Sequence, residues 1–422
     1  MSVAVSSVGN MFCLGVDFGT SGARAVVIDE QQRIQAQQEC SFASDKDWVG
    51  QWRDALFFLL EQVPIALRQK IARIAINGTS STVLLCDERG TPLTTPLLYS
   101  DRTPDSILDP IHAIAPADHV VQSASSSLAK LLYWQQQEIF SQAHYFLHQA
   151  DWLAFLLHGK LGVSDYNNAL KLGYDVKNFC YPQWLGNLSS FPILPQVFPP
   201  GMSVAEVTSD IVQKFDFPSH CQVCTGTTDS IAAFIASGAT QPGEAVTSLG
   251  STLVLKLLSA TPVQATKYGV YSHRFGDLWL TGGASNTGGA VLKHFFSEEQ
   301  LKQLSRDINP TQPTHLDYYP LLEPGERFPI NDPNLSPKLT PRPDDEVIFL
   351  QGLLESMARI EAQGYQKLQE LGATPLSRVY TAGGGAKNEV WQTIREQYLQ
   401  VSVSRSQNTD AAYGSALLAY NF

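Results

Sequence analysis

Two apolar runs, residues 12–16 (Phe-Cys-Leu-Gly-Val) and 25–29 (Ala-Val-Val-Ile-Asp), are joined by Asp17-Phe18-Gly19-Thr20-Ser21-Gly22. Strand-forming runs on either side of a Gly-rich turn read as a β-hairpin, and such a turn leaves backbone N–H groups where a phosphate can lie. The Asp17 carboxylate suits Mg²⁺, a hard cation that prefers oxygen ligands, and the Thr20 and Ser21 hydroxyls suit phosphate oxygens. A plain hairpin with Asp and Ser as turn formers accounts for the same residues. The pattern returns at 245–257, where one strand-like run leads through Gly250-Ser251-Thr252 into another. One recurrence is weak evidence of duplication, since hairpins are common objects.

Between the hairpins, strand-like and helical runs alternate, which implies an α/β core. Residues 33–40, 71–76, 83–87 and 143–147 read as strands, 47–70 mostly as helix with Asp47 near its start, and 152–158 as helix capped by Asp151. Residues 174–218 read as short turns between helices, 222–229 as a strand entering a Gly-Thr-Thr-Asp turn, and 230–237 as an Ala-rich helix. Residues 238–243 resemble a linker, so a first domain over 1–240 and a second over 241–422 are expected. In the second, 278–280 and 378–380 read as strands, 346–371 as a long helix and 309–343 as Pro-rich loop with a short hairpin. Residues 381–388 end the last strand with three consecutive glycines and open a helix through Trp391, a turn that lets a flat ligand approach the backbone. A tight crossover turn without a ligand fits that segment equally well.

A chain of 422 residues exceeds one hydrophobic core, so two or three domains are expected. With 44% hydrophobic and 16% charged residues it is a globular, enzyme-like chain. A net charge of −11 and the lack of a Lys/Arg cluster argue against nucleic-acid binding. Residues 1–10 read as a short tail and not a signal peptide, and no apolar run approaches the ~20 residues that span a bilayer. A cytoplasmic protein is expected. Cys221 and Cys224 have the spacing of half a zinc site, but without a second such pair they read as buried thiols. His144 and His148 read as half-exposed strand or loop residues. The triplet Asp17-Phe18-Gly19 matches the metal-binding triplet of protein kinases, yet no other member of that set is present. A P-loop is absent too.

Taken in order, four segments resemble the FGGY family of carbohydrate kinases, within the actin, hexokinase and heat-shock ATPase superfamily. They are residues 15–24 as first phosphate motif, 226–230 as catalytic segment, 248–252 as second phosphate motif and 382–391 as adenosine motif. The resemblance covers nearly the whole chain. It implies two ribonuclease-H-like α/β domains around a central cleft, with ATP and Mg²⁺ as cofactors and a small-molecule sugar as partner. It implies that Asp229 is the general base for the sugar's primary hydroxyl and that Asp17 holds Mg²⁺, directly or through water, beside the sugar. Thr20, Ser21, Gly250, Ser251 and Thr252 would cradle phosphates, and Gly384, Gly385, Asn388 and Trp391 would bound the adenine. Arg24 fits a surface role on the second strand equally well.

Where xylulokinases carry Gln-Met-His-Gly, this chain has Gly78-Thr79-Ser80-Ser81-Thr82. Small hydroxyls there, in a compact chain, are similar to cyanobacterial and plant xylulokinase-like kinases that prefer D-ribulose. The resemblance therefore implies phosphorylation of D-ribulose at O5, with Ser80 or Ser81 touching the sugar. D-Xylulose or another pentulose or polyol is the alternative acceptor, and a nucleotide-binding sensor ATPase the alternative outside sugar chemistry.

Overall fold

The computed structural model describes residues 11–43, 47–188 and 190–421, so the tail expected at 1–10 lies outside the described residues. The first strands form as the apolar runs dictate: β1 (Phe12–Phe18) pairs antiparallel with β2 (Gly22–Ile28), and β2 with β3 (Ile34–Ser41). The chain then crosses over through the helix Trp48–Gln62 and returns as β4 (Ile71–Gly78), parallel to β1. That helix buries Trp52, Ala55, Leu56, Leu59 and Leu60, the stripe expected of a helix lying on a sheet, and Asp47 caps its start by accepting from the Gly50 N–H. It stops at Val63 and not at residue 70 because Pro64 has no N–H to continue the ladder; a separate turn, Ile65–Arg68, follows.

The first sheet is completed by Gln222–Cys224 and Thr227–Thr228, both parallel to β4, and by Ser203–Glu206, antiparallel to Gln222–Cys224. Residues 174–218 thus hold strands besides the expected turns and helices. Gln196–Phe198 pairs with Val163–Asp165, and Ser209–Phe215 is a helix capped by Thr208. A satellite core lies under the inserted segments, where Val83, Leu85, Leu128, Leu131, Trp134 and Phe146 pack together.

The second sheet repeats the plan. Glu244–Leu249 and Leu253–Ser259 form the hairpin, Leu278–Ser285 and Tyr271–Phe275 extend it antiparallel, and Arg378–Ala382 and Ser402–Arg405 add parallel strands on the other side. The helix Glu346–Glu370 crosses between the two halves of this order and is largely buried. Within 309–343, bridges at Tyr319–Lys338 and Glu326–Asp332 make the short hairpin.

The chain divides into two compact units, and the division differs from a single break near residue 240. One unit runs to Ala236 and takes in Asp410–Phe422; the other is Ser237–Thr409. The last helix, Ala411–Tyr420, packs on β1, β4 and the helix Asp229–Ala236. Glycine permits this. A Cβ on Gly15 would lie 2.0 Å from the Ala412 carbonyl oxygen, and one on Gly414 would lie 1.8 Å from that of Ala232. Sequence periodicity carries no sign of that allegiance, because the partners lie at the far ends of the chain.

Gly15→Ala or Gly414→Ala is expected to destabilise the protein by about 3 kcal/mol, the upper range for overpacking. Gly186→Ala, where a Cβ meets nothing within 4 Å, should be neutral or slightly stabilising. Thermal melts of the three variants check this.

Candidate active site

Asp17 is the penultimate residue of β1, and strand register decides what stands beside it. Asp17 pairs with Asn77 of β4, and Asn77 with Thr227. The helix Asp229–Ala236 begins two residues after Thr227, so the carboxyl ends of three strands gather the acids. This is the end of an open α/β sheet at which ligands bind. The Asp229 carboxylate accepts from the N–H of Ser230 at 2.6 Å, so catalytic candidate and helix start coincide. Asp410, which sequence reasoning missed, joins them from the last helix. It caps that helix by accepting from Ala412 N–H at 2.9 Å and accepts from Gln37 Nε2 at 3.0 Å.

The consequence for Asp17 is a carboxyl pushed up to about 7, first by burial, then by the charges of Asp229 and Asp410; Arg24 and Asn77 act in the opposite direction. Its Oδ1 is buried without a hydrogen-bond partner among the described residues. An orphaned acidic oxygen fits a hard cation. Among the described residues no three His, Cys, Asp or Glu cluster tightly enough to cage one. Water and phosphate oxygens would complete the shell, as is usual for Mg²⁺. Thr20 and Ser21 are exposed in the turn, closed by Gly19 N–H donating to the Gly22 carbonyl at 3.0 Å. Arg24 is exposed and lies 3.6 Å from Glu39, which gives it the surface role.

The hydroxyl-rich turn follows β4 directly. Thr79 donates its N–H to Gln149 Oε1 at 3.0 Å, Thr79 and Thr82 hydroxyls meet at 2.6 Å, and Tyr99 N–H donates to Thr82 Oγ1 at 2.9 Å. Ser80 is half-buried; Ser81 is buried, with φ +63 and an Oγ that has no partner among the described residues. Lys130, which drew no attention in the sequence, is fully buried and donates to the Ser81 carbonyl at 2.8 Å.

In the second unit, Gly250 and Ser251 offer their carbonyls to the start of the helix Gly289–Phe295, at 2.8 and 3.0 Å. The glycine-rich run 281–289 therefore braces the second turn. Gly383, at φ +82, passes so close to Leu249 that a Cβ would sit 2.6 Å from its carbonyl oxygen. Gly250, Gly384 and Gly385 are thus brought to one corner, and the face of Gly384 is open, with nothing within 4 Å of a Cβ there. Asn388 and Trp391 do not share that open face. Asn388 caps the helix Glu389–Leu399 by accepting from Trp391 N–H at 3.0 Å and donates to Ser305 Oγ at 3.0 Å. Trp391 is 3% exposed and lies beneath Gly385, because a large apolar ring is best buried in the core it joins.

Cys221 and Cys224 are buried thiols, with Cys221 pushed upward by burial. His144 is exposed, whereas His148 is fully buried and not half-exposed. It ends a strand and caps the helix Gln149–His158, with Nδ1 3.0 Å from Asp151 and Nε2 3.1 Å from Ser127. Asp151 sits at the third position of that helix, accepting back from His148 N–H at 3.1 Å, so it completes a capping box and is not the cap itself. This Ser–His–Asp chain is sealed in the interior, where its partners satisfy one another. Among the described residues no helix is long and apolar enough to cross a membrane.

Comparison with known proteins accords with this geometry. Residues 12–236 match the N-terminal domain of the FGGY family of carbohydrate kinases and residues 245–421 its C-terminal domain. The chain is 22% identical to a xylulose kinase of Bacillus subtilis, over 97% of this chain and 87% of the relative. A ribulokinase of Halalkalibacterium halodurans is also 22% identical, over 58% of this chain and 53% of the relative. The solved xylulose kinase from Rhodospirillum rubrum superimposes with a TM-score of 0.82 at 21% identity, over 97% of this chain and 89% of that one, a likeness of fold.

Asp17→Asn tests the electrostatics. A raised carboxyl pKa means that folding stability falls as pH rises from about 3.8 to about 7 and stays lowered above. The ligand-free variant should therefore melt several degrees above wild type at pH 8, with the difference vanishing near pH 4. Added Mg²⁺ with nucleotide should raise the melting temperature of wild type more than that of the variant. Scanning calorimetry at the two pH values checks both.

Proposed function

The chain belongs to the FGGY family of carbohydrate kinases, and we propose that it transfers the γ-phosphate of ATP to the primary hydroxyl of a ketopentose, with D-ribulose the preferred acceptor. One observation carries the reading of the site: Asp17 and Asp229 interact electrostatically at the carboxyl ends of the two strands that flank β4, and the Asp17 Oδ1 is buried without a hydrogen-bond partner among the described residues.

Asp229 accepts the proton of the attacking hydroxyl, and the Ser230 N–H holds its carboxylate in orientation. A hydroxyl losing its proton to a carboxylate becomes a stronger nucleophile without a free alkoxide. Asp17 would hold Mg²⁺ through Oδ1; when bound, the ion neutralises charge on the phosphoryl group in transfer. Thr20 and Ser21 supply hydroxyls and turn N–H groups to phosphate oxygens, as do the backbone at Gly250 and the side chains of Ser251 and Thr252. Gly384 and Gly385 receive the adenosine on the open face of their loop, while Asn388 and Trp391 support that loop from below.

The acceptor preference rests on the turn 78–82. Ser80 and Ser81 replace bulkier groups with short hydroxyls, which favours hydrogen bonds to a polyol over apolar contact. D-Xylulose differs from D-ribulose only in the direction of one hydroxyl, so this turn is where the two would be told apart.

An ADP-release assay over D-ribulose, D-xylulose, L-ribulose, gluconate and glycerol should give its highest kcat/KM with D-ribulose. A preference for D-xylulose would transfer the proposal to that sugar, and ATP turnover indifferent to every acceptor would favour the sensor ATPase. Asp229→Ala should lower kcat roughly 10³-fold, the scale of lost general-base catalysis, with nucleotide affinity within threefold. Retention of a tenth or more of the activity would remove Asp229 as the base.

A further inference from the structure

Lys130 lies on the helix Ser127–Gln135, one turn after Ser127, and none of it is exposed to solvent. Its ammonium donates to two carbonyls, that of Ser81 at 2.8 Å and that of Leu98. These belong to the two stretches that meet over the hydroxyl-rich turn, since Tyr99 N–H donates to Thr82 Oγ1 and Leu98 N–H to Asp101 Oδ2 at 2.7 Å. The helix itself is fixed from below, where Ser126 caps it through Ala129 N–H at 3.1 Å and Ser127 meets His148 at 3.1 Å. The residue after His148 is Gln149, the partner of Thr79.

A buried lysine is a poor space filler. Desolvating an ammonium costs several kcal/mol unless dipoles or charges replace water; a leucine or methionine would fill the volume without that cost. Burial pushes the Lys130 amine down to about 8, with Asp101 opposing. At neutral pH most of the population keeps its charge. What the charge accomplishes is visible at Ser81, a residue other than glycine at φ +63. Such a conformation is strained and persists only where the surroundings over-determine it. Two carbonyls drawn to one ammonium supply that restraint.

We propose that Lys130 is a positioning residue for acceptor recognition: by gripping the Ser81 and Leu98 carbonyls it holds Ser81 left-handed and so sets where the 79–82 turn presents its hydroxyls. The inference rests on the acceptor role given to that turn above. Short serine side chains reach little further than their own Cα, so a displaced backbone cannot be corrected by a new rotamer. Thr79 and Thr82 are already committed to Gln149, to Tyr99 and to each other. The half-buried Ser80, next to the held Ser81, carries the hydroxyl whose placement the grip decides.

Lys130→Met and the milder Lys130→Gln, which keeps one donor, test this in the full chain by two readouts. In steady-state kinetics with the best ketose of the wild type, Lys130→Met should raise the KM for sugar about tenfold or more. The KM for ATP should stay within twofold and kcat should change less than the sugar KM; Lys130→Gln should fall between. In hydrogen-exchange mass spectrometry without ligands, amides of 79–83 and 97–100 should exchange at least about tenfold faster, with the strands of the second unit unchanged. A sugar KM within twofold of wild type overturns the proposal, as does an equal rise in both KM values. Should the wild type phosphorylate no sugar, the reading of the acceptor site fails by itself; unchanged exchange at 79–83 would separately overturn the grip of Lys130. If Lys130→Met does not fold, the same criteria apply to Lys130→Gln.

Discussion

A carboxylate placed where water cannot fully solvate it organises the first unit. β1 is apolar through Val16 and buried, so Asp17, one residue before its end, brings an acid to the carboxyl ends of the strands. Parallel pairing then leaves little freedom. Asn77 must stand beside Asp17 and Thr227 beside Asn77, so a helix starting at Asp229 begins within electrostatic reach. Asn77 also donates to Ser415 Oγ at 2.7 Å and to the Ala411 carbonyl at 3.2 Å, drawing in the helix that carries Asp410. Three like charges raise one another's energy, and a bound dication reverses the sign of that interaction.

The second unit meets a different requirement, holding two glycine-bearing loops in place when glycine itself resists little. The answer lies one layer down. Glu361 and Arg395, each with a side chain about 1% exposed, form a bidentate pair at 2.6 and 2.7 Å. Arg395 also donates to Thr381 Oγ1 at 2.7 Å, while Thr247 donates to Glu361 and meets the Tyr365 hydroxyl at 2.8 Å. Thr247 lies three residues before Gly250 and Thr381 two before Gly383. One ion pair thus grips both strands just before their loops. Isolated buried ions cost several kcal/mol, and here hydrogen bonds to both partners offset that cost.

What was legible in the sequence followed local rules. Apolar runs across Gly-Thr-Ser and Gly-Ser-Thr announced both hairpins, Asp47 announced a helix start, and the glycines at 383–385 announced the turn between a strand and a helix. What was illegible depends on contacts that sequence spacing does not encode. The last helix looks like a continuation of the second half, yet its small residues pack against Gly15 and Ala232, which lie far from it in sequence. His148 stands where a strand becomes a helix, so neither period predicts its burial. Sequence position also does not show that Asn388 caps the helix Glu389–Leu399 or that Trp391 packs into the core. Lys130 sits among Leu, Tyr and Trp on a short helix, where a charged residue ordinarily marks the solvated face.

Under the role proposed for the 79–82 turn, specificity would move from side chains to backbone. A long side chain recognises a ligand by its own reach, and a packing error of a few tenths of an ångström is absorbed by rotation about several bonds. A serine has one such rotation, so any error in Cα position passes directly to the hydroxyl. Small side chains at a recognition turn therefore require rigid anchoring more than large ones do. The 79–82 turn is anchored on each side: Gln149 at its start, Lys130 at its strained residue and Tyr99 at its end. None of these anchors is close to the turn in sequence.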